Sequence, residues 1–302
     1  MDRLAAMQTF VRVVESGSFS AVARETKSTQ SGVSKQVAAL ERELGAQLLS
    51  RTTRSLALTE AGERYFEQAR RLVAEIAEAE SELRQGEQQL SGWLRVAASV
   101  GYGRLKLLPM IKTFLVAHPH VKIDLKLNDG FIDLVEAGVD MAIRIGELPD
   151  SSLVASRIGT TKRVVIASRS YLKSLPKGLK VPSEPQDLLH HNCIVYSELA
   201  TQNAWTFKAG PHASAERGSQ VTIHAQGNLQ TNSSEVIRAS VLSGMGIGYS
   251  PTWLFEDVMA TGDLQILMPN WPTPALPVHI VYPPQRSQSA KVQALTRHLS
   301  GL

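Results

Sequence analysis

Four side chains suited to reading a base-pair edge fall close together: Gln30, Ser31, Ser34 and Lys35. Gln can pair bidentately with adenine, Lys with guanine, and short hydroxyls permit close approach. Thr29 stands just before them with a hydroxyl able to cap a helix. Arg51 and Arg54 follow further along, suited to phosphate or minor-groove contact. These groups make and break no covalent bonds; together they suit recognition of a DNA duplex. A polar helix face is more often simply solvated, and periodicity alone does not separate the two readings. The hydroxyl-capped turn, the Gln-Ser-Gly-Val-Ser-Lys run and the basic segment after it favour DNA.

Other candidate chemistry is thin. Cys193 is the sole cysteine, which excludes an internal disulfide and a Cys-rich metal site. Its apolar surroundings in sequence read as those of a buried small hydrophobe rather than a nucleophile. His118, His120, His190 and His191 lack the spacing of a metal box. Gly244-Met-Gly-Ile-Gly248 precedes a strand instead of following one, so it reads as a tight turn and not a dinucleotide loop. No catalytic residue, metal or cofactor is expected, and the chain is not read as an enzyme.

The elements that would position the DNA-reading groups are legible. Leu4, Met7, Phe10, Val11 and Val14 recur at helical spacing and predict an opening helix ended by Gly17. Ser18 caps a second, from Phe19 to about Thr26, and Lys27 and Ser28 with Thr29 form the turn. Val33, Val37, Leu40 and Leu44 then make one apolar stripe, leaving Gln30, Ser31, Ser34, Lys35 and Arg42 opposite. Gly32 lies in the first turn of this third helix, where a missing side chain lets the backbone approach a groove. Two short helices and a basic hairpin in this order have the layout of a winged helix-turn-helix.

With 302 residues, two or three domains are expected. The 43% hydrophobic and 20% charged composition is that of a soluble globular chain. No apolar run reaches membrane-spanning length and no secretion signal opens the chain, so a cytoplasmic location without membrane is expected. The net charge of +4 does not mark the first domain. Residues 1 to 60 hold eight Lys or Arg against six Asp or Glu, and residues 61 to 90 four against seven. The DNA argument therefore rests on which positions carry charge.

At this point the segment resembles the amino-terminal domain of LysR-type transcriptional regulators. Their Gly-Ser-Phe-(Ser/Thr)-x-Ala-Ala opening is matched by Gly17-Ser18-Phe19-Ser20-Ala21-Val22-Ala23. Their Ser-Gln-x-x-(Val/Leu)-Ser-x-x-(Ile/Val)-x-x-Leu-Glu-x-x-(Leu/Val)-Gly run is matched from Thr29 to Gly45, with Thr29 where Ser is usual. The Leu-Phe-x-Arg wing corresponds to Leu48-Leu49-Ser50-Arg51, with Leu49 for Phe, and the exit to Leu58-Thr59-Glu60-Ala61-Gly62. Both departures keep the chemistry, a capping hydroxyl and an apolar wedge.

From Thr59 the pattern predicts one long helix to about Gln89, with Phe66, Ala69, Val73, Ile76 and Leu83 as its stripe. Glu60 and Glu63 favour its positive end. A helix of this length joining two domains buries its stripe against another copy, and the resemblance implies a dimerisation helix. Beyond Gly92 strands and helices alternate, as in a parallel α/β fold. Strands are expected at Trp93–Ser99, Val121–Leu127, Met141–Ile145, from Lys162, at Cys193–Tyr196, Val221–His224, Gly248–Ser250 and Val278–Tyr282. Helices are expected at Leu105–Ala117, Phe131–Ala137, around Tyr171, at Ser233–Ser243 and at Ala290–Leu299.

The expected architecture is α/β with an all-α amino-terminal part: a winged helix-turn-helix, a long linker helix and a two-lobed effector domain. The resemblance implies that this last part is like a periplasmic binding protein. The boundaries read as 1–59 for the DNA-binding domain (core about 18–37), 60–90 for the linker and 91–302 for the effector domain. Lobe I takes about 91–161 and 268–302, and lobe II about 162–267. A cleft between lobes would use strand ends and helix starts, where free N–H groups favour an anion. Ser99 and Tyr102 lie at one such corner, Asn128 and Arg144 at the next strand ends, Ser197 and Thr201 after the Val-Tyr strand, and Thr231 and Asn232 before a later helix. Ordinary helix capping explains the same residue types.

The function expected is sequence-specific transcription regulation, with double-stranded operator DNA and a small, anionic effector as partners. A homodimer follows from the linker; a homotetramer is implied by the resemblance alone, and RNA polymerase is a candidate further partner. Two rivals remain at this level. A solute-binding protein would use the first helices only to dimerise, and an α/β enzyme would carry them as an appendage.

Overall fold

Asp2 accepts the Ala5 amide and opens α1 (Arg3–Ser16), which Gly17 closes at φ 65°. Ser18 takes the Ala21 amide to start α2 (Phe19–Glu25), and Thr29 takes that of Gly32 to start α3 (Gln30–Leu44). A hairpin follows, β1 (Leu49–Thr52) antiparallel to β2 (Ser55–Leu58), and then α4 (Glu60–Gln85). Phe10, Val13, Val22, Val33, Val37, Leu40, Leu48 and Leu49 close one core beneath these elements. The Glu41 carboxylate accepts both Leu48 N and Leu49 N, at 2.8 and 3.0 Å, and so pins the hairpin to α3. Thr59 caps α4 through Gly62 N at 2.9 Å. A side chain at Gly62 would meet the Leu48 carbonyl at 2.0 Å, so only glycine lets this helix abut the wing.

The computed structural model describes residues 2–52, 55–85, 90–197 and 201–301. The chain divides into two compact units, Met1–Trp93 and Leu94–Leu302. The second is built from β3 (Gly92–Ala98), α5 (Val100–Tyr102) running through a π turn into α6 (Leu108–Ala117), β4 (Val121–Leu127), β5 (Met141–Ile145), β6 (Val154–Ser168) and α7 (Arg169–Lys173). It continues with β7 (Cys193–Tyr196), β8 (Ala204–Lys208), β9 (Gln220–His224), β10 (Leu229–Thr231), α8 (Ser234–Leu242) and β11 (Ile247–Pro251). It ends with α9 (Glu256–Met259), β12 (Leu264–Leu267), β13 (Ala275–Tyr282) and α10 (Ala290–Ser300).

One long strand makes this unit two-lobed. Up to Lys162, β6 pairs with β13; from Arg163 it pairs with β11 and β12. The sheet runs β10-β7-β11-β6-β13-β5-β3-β4, so β6 belongs to both halves. The chain returns between β12 and β13, where Thr273 donates to the Arg163 carbonyl at 2.6 Å. One lobe buries Ala97, Leu134, Val139, Ala142 and Val281. The other buries Trp205, Phe207 and Tyr249, with the Trp205 and Tyr249 rings stacked at 4.9 Å. A third cluster joins the lobes directly: Tyr102, Leu105 and Ile145 pack on Trp253, Leu254 and Phe255.

Several expectations change. The sheet is mixed rather than parallel: β3–β5, β7–β10 and β7–β11 are parallel, but β6 is antiparallel to every partner. Its first half alternates exposed and half-buried residues, which hid eight residues of strand before Lys162 from a search for apolar runs. Residues Phe131–Ala137 form no helix; the chain is irregular to Asp133 and turns from Leu134. Asp133 Oδ1 takes the amides of Val135 and Glu136, and Gly138 at φ 60° stops the chain after one turn. The strand at Val221–His224 pairs with β8 in a separate hairpin. Helix begins at Val100, ahead of Leu105, and passes through a π turn at Gly103–Leu107, where Gly103 leaves room for Leu127 to lie against it. The expected linker end, Gly86–Gln89, lies outside the described residues.

Candidate nucleic-acid interface and effector cleft

Burial of Val33, Val37 and Leu40 turns the opposite side of α3 outward. Gln30, Ser31 and Lys35 are exposed and Ser34 is half-buried. Lys35 and Gln30 have no hydrogen bond or ion pair among the described residues, so both can meet a ligand without breaking anything. Thr29 is engaged: its hydroxyl takes Gly32 N at 3.1 Å and meets the Ser31 hydroxyl at 3.1 Å. Gln36 is turned the other way and accepts from Thr9 of α1 at 2.9 Å. The Arg51 backbone is paired in β1; its side chain, and Arg54 altogether, lie outside the described residues.

In the second unit the structure joins two of the expected corners through a residue that the sequence reading missed. Asp129 follows Asn128 at the end of β4. Its Oδ1 accepts Val100 N at 2.8 Å, and its Oδ2 accepts Ser234 N at 2.7 Å and Ser234 Oγ at 2.9 Å. Ser234 Oγ in turn accepts Gly101 N at 3.2 Å. One carboxylate thus clasps the starts of α5 and α8, one from each lobe. Two ion pairs flank it: Arg104 holds both oxygens of Glu235, at 2.9 and 3.1 Å, and Lys106 meets Glu256 at 2.7 Å.

The nominated side chains around this clasp are largely occupied locally. Asn128 closes an Asx turn on Gly130 N at 2.8 Å, and Thr231 accepts Ser233 N at 3.1 Å. Ser197 N donates to the Thr231 carbonyl at 2.9 Å, bringing these two together. Arg144 donates to the Ile132 carbonyl at 2.9 Å and stacks on Phe131 at 4.1 Å; burial pulls its pKa down and Asp133 opposes this. Ser99 makes no side-chain cap bond, and Thr201 and Asn232 are exposed in turns. Tyr102 stands apart, edge-on to Trp253 at 5.3 Å, on the wall of a cavity of about 460 Å³. Burial pushes the Tyr102 phenol up, so it stays a protonated donor. The sequence signal for Asp129 was an Asn-Asp-Gly at a strand end; for Trp253 there was none.

Cys193 is fully buried, and burial pushes its thiol up to about 12. The expected result is that native protein resists a thiol reagent near pH 8 and reacts only on unfolding, as absorbance with a disulfide dye would report. Among the described residues no cluster of His, Cys, Asp and Glu could hold a metal ion, and no helix is long and apolar enough to cross a membrane.

Comparison with known proteins agrees with this geometry. Residues 4–63 match the family described as bacterial regulatory helix-turn-helix protein, lysR family, and residues 87–301 match the LysR substrate binding domain. An uncharacterised helix-turn-helix transcriptional regulator of Haemophilus influenzae is 33% identical, over 98% of this chain and 99% of its own. The transcriptional activator AaeR of Escherichia coli is 32% identical, over 99% and 94%. Among solved structures, CrgA of Neisseria meningitidis, a LysR-type transcriptional regulator, superposes with a TM-score of 0.61 at 32% identity over 98% of this chain and 97% of that one. The chain belongs to the LysR family of DNA-binding transcriptional regulators, with a helix-turn-helix at its start and an effector-binding domain after it.

Proposed function

We propose that the chain reads a double-stranded operator with α3 in the major groove and the β1–β2 wing on the sugar-phosphate backbone. Gln30, Ser31, Ser34 and Lys35 face base edges, Thr29 fixes the helix start, and Arg51 and Arg54 hold phosphates. The observation that carries this is the pair Gln30 and Lys35, exposed and unpartnered on a helix whose other side is a buried core. Two copies act together in the cytoplasm. Phe66, Ala69 and Val73 of α4 already serve the head's own core, so the seam left for a second copy starts at the exposed Leu72 and at Ile76. A homotetramer and contact with RNA polymerase belong to the same proposal.

The domain reading is 1–59 for DNA, 60–90 for the linker and 91–302 for the effector domain, with lobes meeting where β6 changes partners near residue 162. A small anionic effector sits between these lobes and favours one arrangement of the oligomer. Of the eight side chains nominated for it, Tyr102 opens onto a cavity, and Asn128, Arg144 and Thr231 would first give up the local bonds they make.

Gel-shift titration with fragments of the gene's own promoter neighbourhood, over a salt series, tests the DNA half. Arg51→Ala is expected to weaken every duplex alike and to reduce the slope of log affinity on log salt by about 1. An unchanged slope would remove Arg51 from the wing contact. Absence of binding to any duplex in dilute buffer would end the reading.

A further inference from the structure

The positive excess of this chain is concentrated in one stretch. Between Asp150 and Glu184 stand seven Lys or Arg and no Asp or Glu. Outside that stretch 25 basic residues face 28 acidic ones, so the rest of the chain is net negative. Soluble surfaces ordinarily intersperse both signs. The DNA-reading head, with eight basic residues against six acidic ones in its first 60, holds little of the excess.

The fold presents the last four of these cations on one anchored segment. Ser168 ends β6, and its hydroxyl takes Tyr171 N at 3.3 Å to start α7. Arg169 and Lys173 are four residues apart in α7 and so share a side of it. The helix ends before Pro176, Gly178 at φ 95° turns the chain, and Lys177 and Lys180 stand on either side of that turn. Tyr171, Leu172 and Leu175 pack inward on the core around Trp205. His191 ties the two ends of the segment together: its Nδ1 meets Tyr171 Oη at 3.2 Å and its Nε2 the Lys180 carbonyl at 3.1 Å. Arg169, Lys173, Lys177 and Lys180 are exposed, and their side chains make no hydrogen bond or ion pair among the described residues. The acidic groups nearby do not offset them. Asp187 is occupied by Ser183 N, Ser183 Oγ and Glu184 N, and Asp263, whose carbonyl accepts Arg169 N, forms no ion pair among the described residues.

We propose that this surface of the second unit is a sequence-independent contact for the phosphates of duplex DNA, additional to the head. The inference rests on the reading of the chain as an operator-binding regulator and goes beyond it. Cations without protein partners can neutralise phosphates and release counterions with no existing bond to break. The buried Tyr171 and the His191 tie hold the backbone beneath them, so little ordering of the chain is needed on contact. Surface and head belong to one molecule, so once the head is bound a contact too weak to act alone still adds affinity. Such a contact reads no base: it raises affinity and salt dependence and leaves sequence choice to α3.

The test is fluorescence anisotropy of the full-length protein on a duplex from the gene's own promoter neighbourhood, over a salt series. Lys173→Gln, Lys177→Gln and Lys180→Gln are combined in one variant. Lys112→Gln, Lys208→Gln and Arg217→Gln are combined in a second, which removes the same charge from exposed positions elsewhere in the unit. Both should melt like the wild type. The first should lower the slope of log affinity on log salt by about 2–3 and weaken binding about tenfold or more in dilute salt, as loss of three phosphate contacts requires. The second should keep the wild-type slope to within about half a unit, since it removes no contact. A wild-type slope in the first variant overturns the proposal, and the surface then faces solvent or an acidic protein. Equal losses in both variants overturn it too, because total charge rather than a local contact would be the cause. Lys35→Ala, measured in parallel, keeps the two readings apart. If it loses affinity while the first triple variant does not, the operator reading stands and only this surface fails; a wild type that binds no duplex ends both.

Discussion

Lys35→Ala is expected to weaken operator binding about ten- to hundredfold while leaving the melting temperature of the head within a degree or two. The magnitude is that of one bidentate base contact, about 1–3 kcal/mol. It should fall mainly on the cognate sequence, since a base contact discriminates whereas a phosphate contact does not. Stability is spared because Lys35 is exposed and tied to nothing among the described residues, and alanine is the better helix former. Val37→Ala provides the contrast on the same helix. That side chain is 0% exposed, and its loss leaves a hole worth about 2 kcal/mol, so any loss of binding there would follow unfolding. Lys35→Arg should retain much of the affinity, since a guanidinium also meets guanine bidentately. Equal gel shifts for wild type and Lys35→Ala would mean that α3 does not present this face to bases.

The head was readable because its elements are short, local and capped by side chains adjacent in sequence. Ser18, Thr29 and Thr59 each take an amide three residues on, so the capping residue and the helix it starts appear together in the text of the chain. Glu41 is different. Its role is to accept Leu48 N and Leu49 N across a turn, and nothing about a Glu in a helix announces a partner seven residues away. In the second unit most strands were visible as apolar runs, although β8, β10 and β12 were not, and the pairing was not readable at all. The antiparallel partners of β6 lie more than seventy residues downstream, and its alternating first half gave no run at all. Asp129 illustrates the limit most clearly. Strand-end polar residues were weighed as ligands for something outside the chain, whereas the nearest carboxylate belongs to the chain itself and reaches a helix that begins 105 residues later.

That contact makes Asp129→Ala the substitution expected to do most damage in the second unit. Removing the carboxylate leaves Val100 N, Ser234 N and Ser234 Oγ without their acceptor, and it does so where the two lobes meet. A hydrogen bond to a charged acceptor contributes about 1.5–3 kcal/mol, and orphaning part-buried donors adds to the cost. Three bonds to one group do not add fully, so a net loss of about 2–4 kcal/mol is the expectation, or roughly 5–12 °C for a unit of this size. Arg104→Ala is the necessary comparison, because it also breaks a bond between lobes. Its side chain is 44% exposed and that of Glu235 30%, and a pair so open to water is worth at most about 1 kcal/mol. Calorimetry of the three proteins should therefore rank Asp129→Ala far below Arg104→Ala, with Arg104→Ala close to wild type. The reverse order would show that charge on the rim, rather than the half-buried clasp, holds the lobes. The ranking bears on regulation as well as stability. A ligand that acts by changing lobe arrangement works against whatever already fixes that arrangement, so a protein lacking the clasp should need less effector to reach the same response at its operator.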